Sequence, residues 1–161
     1  KQHSDFIYLA TNSYNVIEFG AQWGYLAKIS QAGVLVDDFY FGGENLNYGP
    51  LFLDLDFDSN GDIYIVGEIT SHGGSVTAPT FSTALSTYSD ILVLKTDGNF
   101  NEIWQKSFGG TGKDNLNHLG SPDLILDTNN NPIFLTTTNS IDRNVKSYID
   151  NWKMWLVKVD N

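Results

Sequence analysis

The chain repeats itself, and this is the feature that most limits its possible folds. The run Phe41-Gly42-Gly43 recurs 67 positions later as Phe108-Gly109-Gly110. Two further runs recur at offsets of 70 and 63: Ile63-Tyr64-Ile65 as Ile133-Phe134-Leu135, and Leu92-Val93-Leu94-Lys95 as Trp155-Leu156-Val157-Lys158. Repeats of this length that are built from short β runs are typical of propellers and solenoids. The sequence therefore predicts one structural unit that recurs and buries its faces against neighbouring copies of itself.

Short runs rich in β-branched and aromatic residues predict ten strands. They are Phe6–Thr11, Tyr25–Ile29, Leu35–Phe41, Phe52–Phe57, Ile63–Ile69, Ile91–Lys95, Glu102–Phe108, Asp123–Leu126, Ile133–Thr138 and Met154–Val159. No stretch keeps the i, i+3, i+4, i+7 apolar spacing of an amphipathic helix, so no long helix is expected. The predicted fold class is all-β, with antiparallel hairpins joined by turns rich in Gly, Asn and Asp.

Four strands make up one complete unit, as in the blade of a β-propeller. Residues 44–110 contain all four, whereas residues 1–43 lack an inner strand and residues 111–161 lack an outer one. We expect residues 1–161 to form one partial β-propeller of roughly two and a half blades, although propellers close with about 4–8. The chain is then a fragment of a larger propeller, or further copies, blades or a protein partner complete it.

Composition excludes several classes of partner. The net charge is −10, and Arg143 is the only arginine, so binding to nucleic acid or to an anionic membrane surface is disfavoured. The chain has no cysteine, which excludes disulfides, thiolate metal sites and cysteine nucleophiles. No run approaches the roughly 18 apolar residues of a membrane helix, so we expect no membrane insertion.

The segment Asp56-x-Asp58-x-Asn60-Gly61-Asp62 places oxygen ligands at alternate positions around a glycine, as calcium loops do. However, Gly67 stands at the twelfth position, where an EF-hand loop has its bidentate Glu, and the second repeat has Ile125 in place of Asp56. The alternative interpretation is a hairpin whose Asp and Asn side chains cap their own backbone. The sequence favours the hairpin, and calcium remains the second hypothesis.

No motif for catalysis or cofactor binding is found. The histidines at 3, 72 and 118 lack ligand spacing, and no Gly-x-Ser-x-Gly elbow occurs. Asp37 and Asp38 are adjacent on a predicted strand, so their side chains point to opposite faces and cannot converge like a glycosidase pair. We therefore assign no catalytic, cofactor-binding or metal-binding residue, and we expect the protein not to be an enzyme.

Two loops of variable length follow the second strand of successive units, Ser71–Ser89 and Ser140–Asn151. Loops at the same point of each repeat lie on one face, which is often the binding face. We expect the first loop to make few core contacts. Trp152 is the residue that we expect to be exposed for contact with a partner. The open strand edges are the other candidate, because their unpaired backbone groups can accept a partner strand.

Three segments resemble the SBBP-type and related bacterial propeller repeats. They are Trp104–Asp114, which contains Phe108-Gly109-Gly110-Thr111-Gly112-Lys113-Asp114, together with Ser89–Asn99 and Asp58–Gly67. The first unit departs from this pattern in two places. Gly43 is followed by Glu44, whereas Gly110 is followed by Thr-Gly-Lys, and Ser30 stands where the second and third units have Asp97 and Asp160. The resemblance implies an interaction module of large secreted or surface proteins, particularly of Bacteroidota.

The leading functional hypothesis is a non-enzymatic, extracytoplasmic binding or structural module that is secreted, on the cell surface or periplasmic. A carbohydrate-binding or glycan-degrading propeller is the first alternative, and convergent carboxylates and aromatic residues in a central funnel would favour it. A calcium-stabilised adhesin repeat is the second. The small-molecule ligand, if there is one, is not indicated by any residue pattern.

Overall fold

The computed structural model describes residues 1–15, 21–42, 49–70, 74–81, 89–115, 124–146 and 151–160. In these residues the chain is entirely β, which confirms the predicted fold class, and no helix long and apolar enough to cross a membrane occurs among them. The strands are β1 (Gln2–His3), β2 (Phe6–Asn15), β3 (Ala21–Ser30), β4 (Leu35–Phe41), β5 (Leu51–Phe57), β6 (Ile63–Ile69), β7 (Asp90–Thr96), β8 (Glu102–Phe108), β9 (Asp114–Asn115), β10 (Ile125–Leu126), β11 (Pro132–Thr138) and β12 (Lys153–Lys158).

The strands form three antiparallel sheets that follow one another along the chain. Sheet 1 has the order β1-β2-β3-β4 and sheet 2 the order β5-β6-β7-β8. Sheet 3 has the order β10-β11-β12, and β9 also pairs with β11. Apart from β9, the strands of each sheet thus pair with their neighbours in sequence, because short turns favour hairpins. Sheet 2 has the four strands expected for residues 44–110.

The first unit differs from the prediction, because it does have an inner strand. Gln2 and His3 pair with Ile7 and Phe6 as β1, through a tight turn in which Ser4 has a φ of 52°. Two residues are too few to give the alternating pattern by which strands are predicted. In sheet 3, β12 has no outer strand beside it within the described residues.

The turns show which residues of sheets 2 and 3 are equivalent. The Asp58 N–H donates to the Asp62 carbonyl, and the Asp127 N–H to the Asn131 carbonyl, each at 3.0 Å. Tyr64 pairs with Lys95, and Ile133 pairs with Lys158. Tyr64 therefore corresponds to Ile133, and Ile65 to Phe134. Matching Tyr64 with Phe134 from the sequence is wrong by one residue, and such a slip moves a side chain to the opposite face of its sheet.

Sheet 2 is buried on both faces, and all seven residues of β6 are buried. Ile63, Ile65 and Ile69 belong to a cluster that includes Tyr8, Leu26 and Phe41 of sheet 1. On the other face, Tyr64 and Val66 pack in a second cluster with Phe134 and Val157 of sheet 3. The described residues thus form a stack of three sheets with a hydrophobic core in each of the two spaces between them.

Candidate functional site

The Asp56–Asp62 hairpin is held by its own backbone and by a lysine. Asp58 is buried, and its Oδ1 accepts from the N–H groups of Asn60 (2.9 Å) and Asp62 (3.0 Å). Lys95 Nζ lies 3.3 Å from Asp58 Oδ2 and 3.0 Å from Asp62 Oδ2. Burial lowers the pKa of Lys95, but hydrogen bonds with Tyr64, Asp62 and Asp58 outweigh it and raise that pKa above its usual value. One ammonium group therefore already forms ion pairs with both carboxylates.

Two other hairpins are built in the same way. Asp97 Oδ1 accepts from the N–H groups of Asn99 (2.8 Å) and Asn101 (2.9 Å). Asp127 Oδ1 accepts from Asn129 and Asn131 at the same distances, and its Oδ2 lies 2.6 Å from Lys158 Nζ. The common role of these aspartates is to cap the turn that follows them. Among the described residues, no group of three Asp, Glu or His side chains is placed to hold a metal ion.

We expect EDTA to leave the melting temperature of the protein unchanged, because Lys95 and backbone N–H groups satisfy the Asp58 and Asp62 carboxylates. Calcium at a hundredfold excess over its Kd would add about 2.7 kcal/mol, which is a rise of roughly 5–11 °C for a domain of this size. Differential scanning calorimetry with EDTA and with millimolar calcium measures this. A calcium-dependent rise that Asp58→Asn abolishes would show that the hairpin binds calcium.

The segment Gly109–Lys113 is held by five consecutive backbone N–H groups, each of which donates to a side-chain oxygen. In order, they donate to Asn144 Oδ1 (3.3 Å), Asp114 Oδ2 (2.9 Å), Asp142 Oδ1 (2.8 Å), Ser140 Oγ (3.0 Å) and Asn139 Oδ1 (2.6 Å). Four of these acceptors come from the loop after β11. We call Gly109–Asp114 together with Asn139–Asn144 the glycine clamp. It joins the end of sheet 2 to sheet 3.

A smaller version of the clamp joins sheet 1 to the loop after β6. The Gly42 N–H donates to Ser75 Oγ (2.7 Å), and the Ser75 N–H donates to the Gly42 carbonyl (3.0 Å). Gly109 and Asn144 exchange the corresponding pair of bonds in the glycine clamp. The recurring glycine run therefore has a structural role, because it forms the joint between one unit and the loop of the next.

Asp114 is the buried acid of the glycine clamp. Burial raises its pKa, and the hydrogen bonds from Thr138, Gly110 and Ser140 and the charge of Lys153 only partly offset this. Its folded-state pKa is thus higher than its unfolded-state pKa. The resulting stabilisation is complete below the unfolded pKa of about 4 and is lost as the pH rises through the folded pKa.

We therefore expect Asp114→Asn to change the pH dependence of stability. As the pH rises above about 4 and through the folded-state pKa of Asp114, the free energy of unfolding of the variant should rise relative to that of the native chain, because asparagine carries no buried charge. Urea denaturation at a series of pH values measures this difference, and Asp5→Asn, at an exposed position, is the control. Parallel pH profiles for the native and Asp114→Asn proteins would contradict the prediction.

The first variable loop is not loose. Residues 74–81 are described, and Val76 and Ala78 are buried in the core between sheets 1 and 2. Gln105 Oε1 accepts from the Thr77 and Ala78 N–H groups at 2.9 and 3.0 Å. The expectation of few core contacts is thus wrong for this part of the loop. Sequence patterns missed it because two small apolar residues are too few to show a periodicity.

Trp152 lies directly before β12 and is 44% exposed, as expected for a contact residue. The ring of His3 stacks on Phe57 with 4.7 Å between their centroids, so this histidine packs against the hairpin rather than forming a ligand set. His72 and His118 lie outside the described residues. Beside β12, at the open edge of sheet 3, a cleft is lined by Phe108, Arg143, Asn144, Lys146, Trp155, Leu156, Val157 and Lys158.

Exposed apolar side chains cover the outer faces of the stack. We call the outer face of sheet 1 the back face, and it presents Ile7, Leu9, Leu35 and Tyr40. We call the outer face of sheet 3 the front face, and it presents Ile125, Met154 and Leu156, the last two 65% and 68% exposed. Large contiguous apolar patches are rare on monomers and mark sites of interaction. The two faces are therefore the strongest candidate sites of the chain.

No family model and no curated protein sequence matches this chain.

Proposed function

We propose that this chain is a non-enzymatic binding or structural module of a β-propeller, in a secreted or cell-surface bacterial protein or assembly. The observation that carries the proposal is that the back face and the front face, at the two ends of the stack, are apolar and uncovered. A module that works by association needs such faces, because burial of apolar surface is the main driving force for joining protein surfaces.

The arrangement of the sheets supports a propeller. In a repeat protein each unit presents the same face to the next unit. Ile65 and its equivalent Phe134 both point to the preceding sheet, whereas Tyr8 and Tyr64 both point to the following one. The four-stranded antiparallel order of sheet 2 is that of a propeller blade. The resemblance of Trp104–Asp114 to SBBP-type repeats of Bacteroidota agrees with this arrangement.

The roles of the acidic side chains support a non-enzymatic module. Asp58, Asp97 and Asp127 each cap a turn, and Asp114 holds the glycine clamp. These carboxylates are thus used to build the repeat and its joints. We place the module outside the cytoplasm, as the repeat resemblance implies, and its partners are protein surfaces or further copies or blades that complete the propeller.

Sedimentation velocity over a range of concentrations tests this function. We expect the purified chain to associate reversibly, because both end faces are apolar and uncovered. The sedimentation coefficient should therefore rise with concentration. A protein that stays monomeric at every concentration and unfolds in a single two-state transition would contradict the proposal.

A further inference from the structure

We propose that two copies of this chain bind head to tail, with the front face of one copy against the back face of the next. This inference rests on the proposed function and names its partner as a second copy of the chain. The argument depends on which residue positions are buried in the two joints inside the stack. In those joints, the faces of sheet 2 that are equivalent to the two exposed faces are each packed against another sheet.

The front face repeats the face of sheet 2 that packs against sheet 3. The pairing of Ile133 with Lys158 matches that of Tyr64 with Lys95, so Leu156 and Met154 stand at the positions of Val93 and Ile91. Tyr64, Val93 and Ile91 are 0% exposed beneath sheet 3. The same positions are apolar in both sheets but are covered in only one.

The back face repeats the face of sheet 2 that packs against sheet 1. Tyr8 pairs with Lys28 as Tyr64 pairs with Lys95, and an irregularity in pairing follows each lysine. Ile7 and Leu9 therefore stand at the positions of Ile63 and Ile65, which are 0% exposed beneath sheet 1. The back face therefore corresponds to the face of sheet 2 on which sheet 1 packs.

The same lysine position recurs in all three sheets as Lys28, Lys95 and Lys158. Lys95 pairs with Asp58 and Asp62 of its own sheet, whereas Lys28 bonds to the next sheet. Lys28 of sheet 1 crosses its joint and donates to the Gly98 carbonyl of sheet 2 at 3.3 Å, in the turn after β7. Lys158 holds the same position in sheet 3 and is half-exposed beside Asp127. In a head-to-tail dimer, Lys158 would face the turn after β3 in the next copy, near Gln31. In the turn after β3, the Ser30 N–H donates to the Val34 carbonyl. In the turn after β7, the Asp97 N–H donates to the Asn101 carbonyl in the same way.

In both joints inside the stack, the face of one sheet that is equivalent to the front face packs against the face of the next sheet that is equivalent to the back face. Neither joint brings two equivalent faces together. The expected contact is therefore heterologous. Each copy in such a contact still has one free face, so association continues until the copies close a ring or form an open fibre. A symmetric dimer, in which both copies use the same face, would stop at two copies.

Mixing two blocked variants tests the inference. Leu9→Lys places a charge on the back face, and Leu156→Lys places one on the front face. Burying an unpaired charge is costly, so each variant alone should lose self-association by more than about a hundredfold. Mixed in equal amounts, they should form a one-to-one dimer, because each variant supplies the face that is blocked in the other. Ile103→Lys, at an exposed position outside both faces, should associate like the native chain.

Sedimentation velocity of the native chain, the variants and the mixture separates the outcomes, and circular dichroism confirms that each variant is folded. A native chain that stays monomeric overturns the proposed function and this inference with it. If the native chain associates but the mixture forms no dimer, or if one blocked variant alone still dimerises, only the head-to-tail contact is overturned. If Leu156→Lys fails to fold, Met154→Lys blocks the same face.

Discussion

Replacing Gly109 by alanine is expected to destabilise the protein by about 4 kcal/mol, from overpacking of about 1–3 kcal/mol and a similar cost for buried polar groups that lose their partners. A Cβ on Gly109 would lie 2.6 Å from Asp114 Oδ2 and still closer to Asp90 Oδ1. Both aspartates are fully buried, so neither carboxylate can move away into solvent. The bond from the Gly110 N–H to Asp114 would break as the clamp shifts.

Chemical denaturation of Gly109→Ala and Gly98→Ala side by side measures this effect. Gly98 is the matched control, because the nearest atom to its added Cβ is the Gly61 carbonyl oxygen at 3.5 Å, an ordinary contact. The control should unfold within about 1 kcal/mol of the native chain, as expected for a change without a named cause of strain. Equal stabilities of the two variants would show that the glycine clamp does not hold sheets 2 and 3 together.

Phe41→Ala is expected to lower the free energy of unfolding by about 3–5 kcal/mol, the usual cost of truncating a buried phenylalanine. Phe41 is 0% exposed, and its ring centroid lies 5.7 Å from that of Phe52. It ends β4 and fills the core between sheets 1 and 2, so its loss leaves a cavity between two sheets. The neighbouring Gly42–Ser75 bonds hold the backbone in place and limit its collapse into that cavity.

Ile103→Ala is the control for this change, because Ile103 is an apolar residue that is 48% exposed on β8. Its truncation should cost less than about 1 kcal/mol, since little buried area is lost. Thermal and urea unfolding of both variants measure the difference. A loss for Phe41→Ala no larger than that for Ile103→Ala would mean that sheets 1 and 2 do not share a packed core.

The strands of the middle unit were predictable from local pattern. Ile63–Ile69 and Glu102–Phe108 were predicted with the bounds that β6 and β8 have. Both runs contain β-branched and aromatic residues, and turn residues mark one end of each: Asn60-Gly61 before the first and Gly109-Gly110 after the second. The cap made by Asp58 was predicted as well, since its acceptors and donors lie within four residues along the chain. Such local interactions need no knowledge of the rest of the fold.

The glycine clamp was not predictable in this way. The Gly109 run was recognised as a repeat, but its partners Asn139, Ser140 and Asp142 lie 26 to 31 residues from the N–H groups that they bind. A loop of polar residues that is variable in length looks like a solvent-exposed insertion in sequence. Only the packing of sheet 3 on sheet 2 brings these side chains to the glycine backbone.

The sequence by itself determined that this chain is all-β, where most of its strands and turns lie, and that one unit recurs. These properties follow from side-chain periodicity and turn residues, which act over a few positions. The tertiary structure alone decided which repeat residues are equivalent, since hydrogen bonds between strands set the register that places Tyr64 with Ile133. It also decided which apolar faces are covered, because the pattern of a strand is the same whether or not another sheet packs on it. Leu156 and Val93 illustrate this: both are apolar and occupy equivalent positions, but only Val93 is buried.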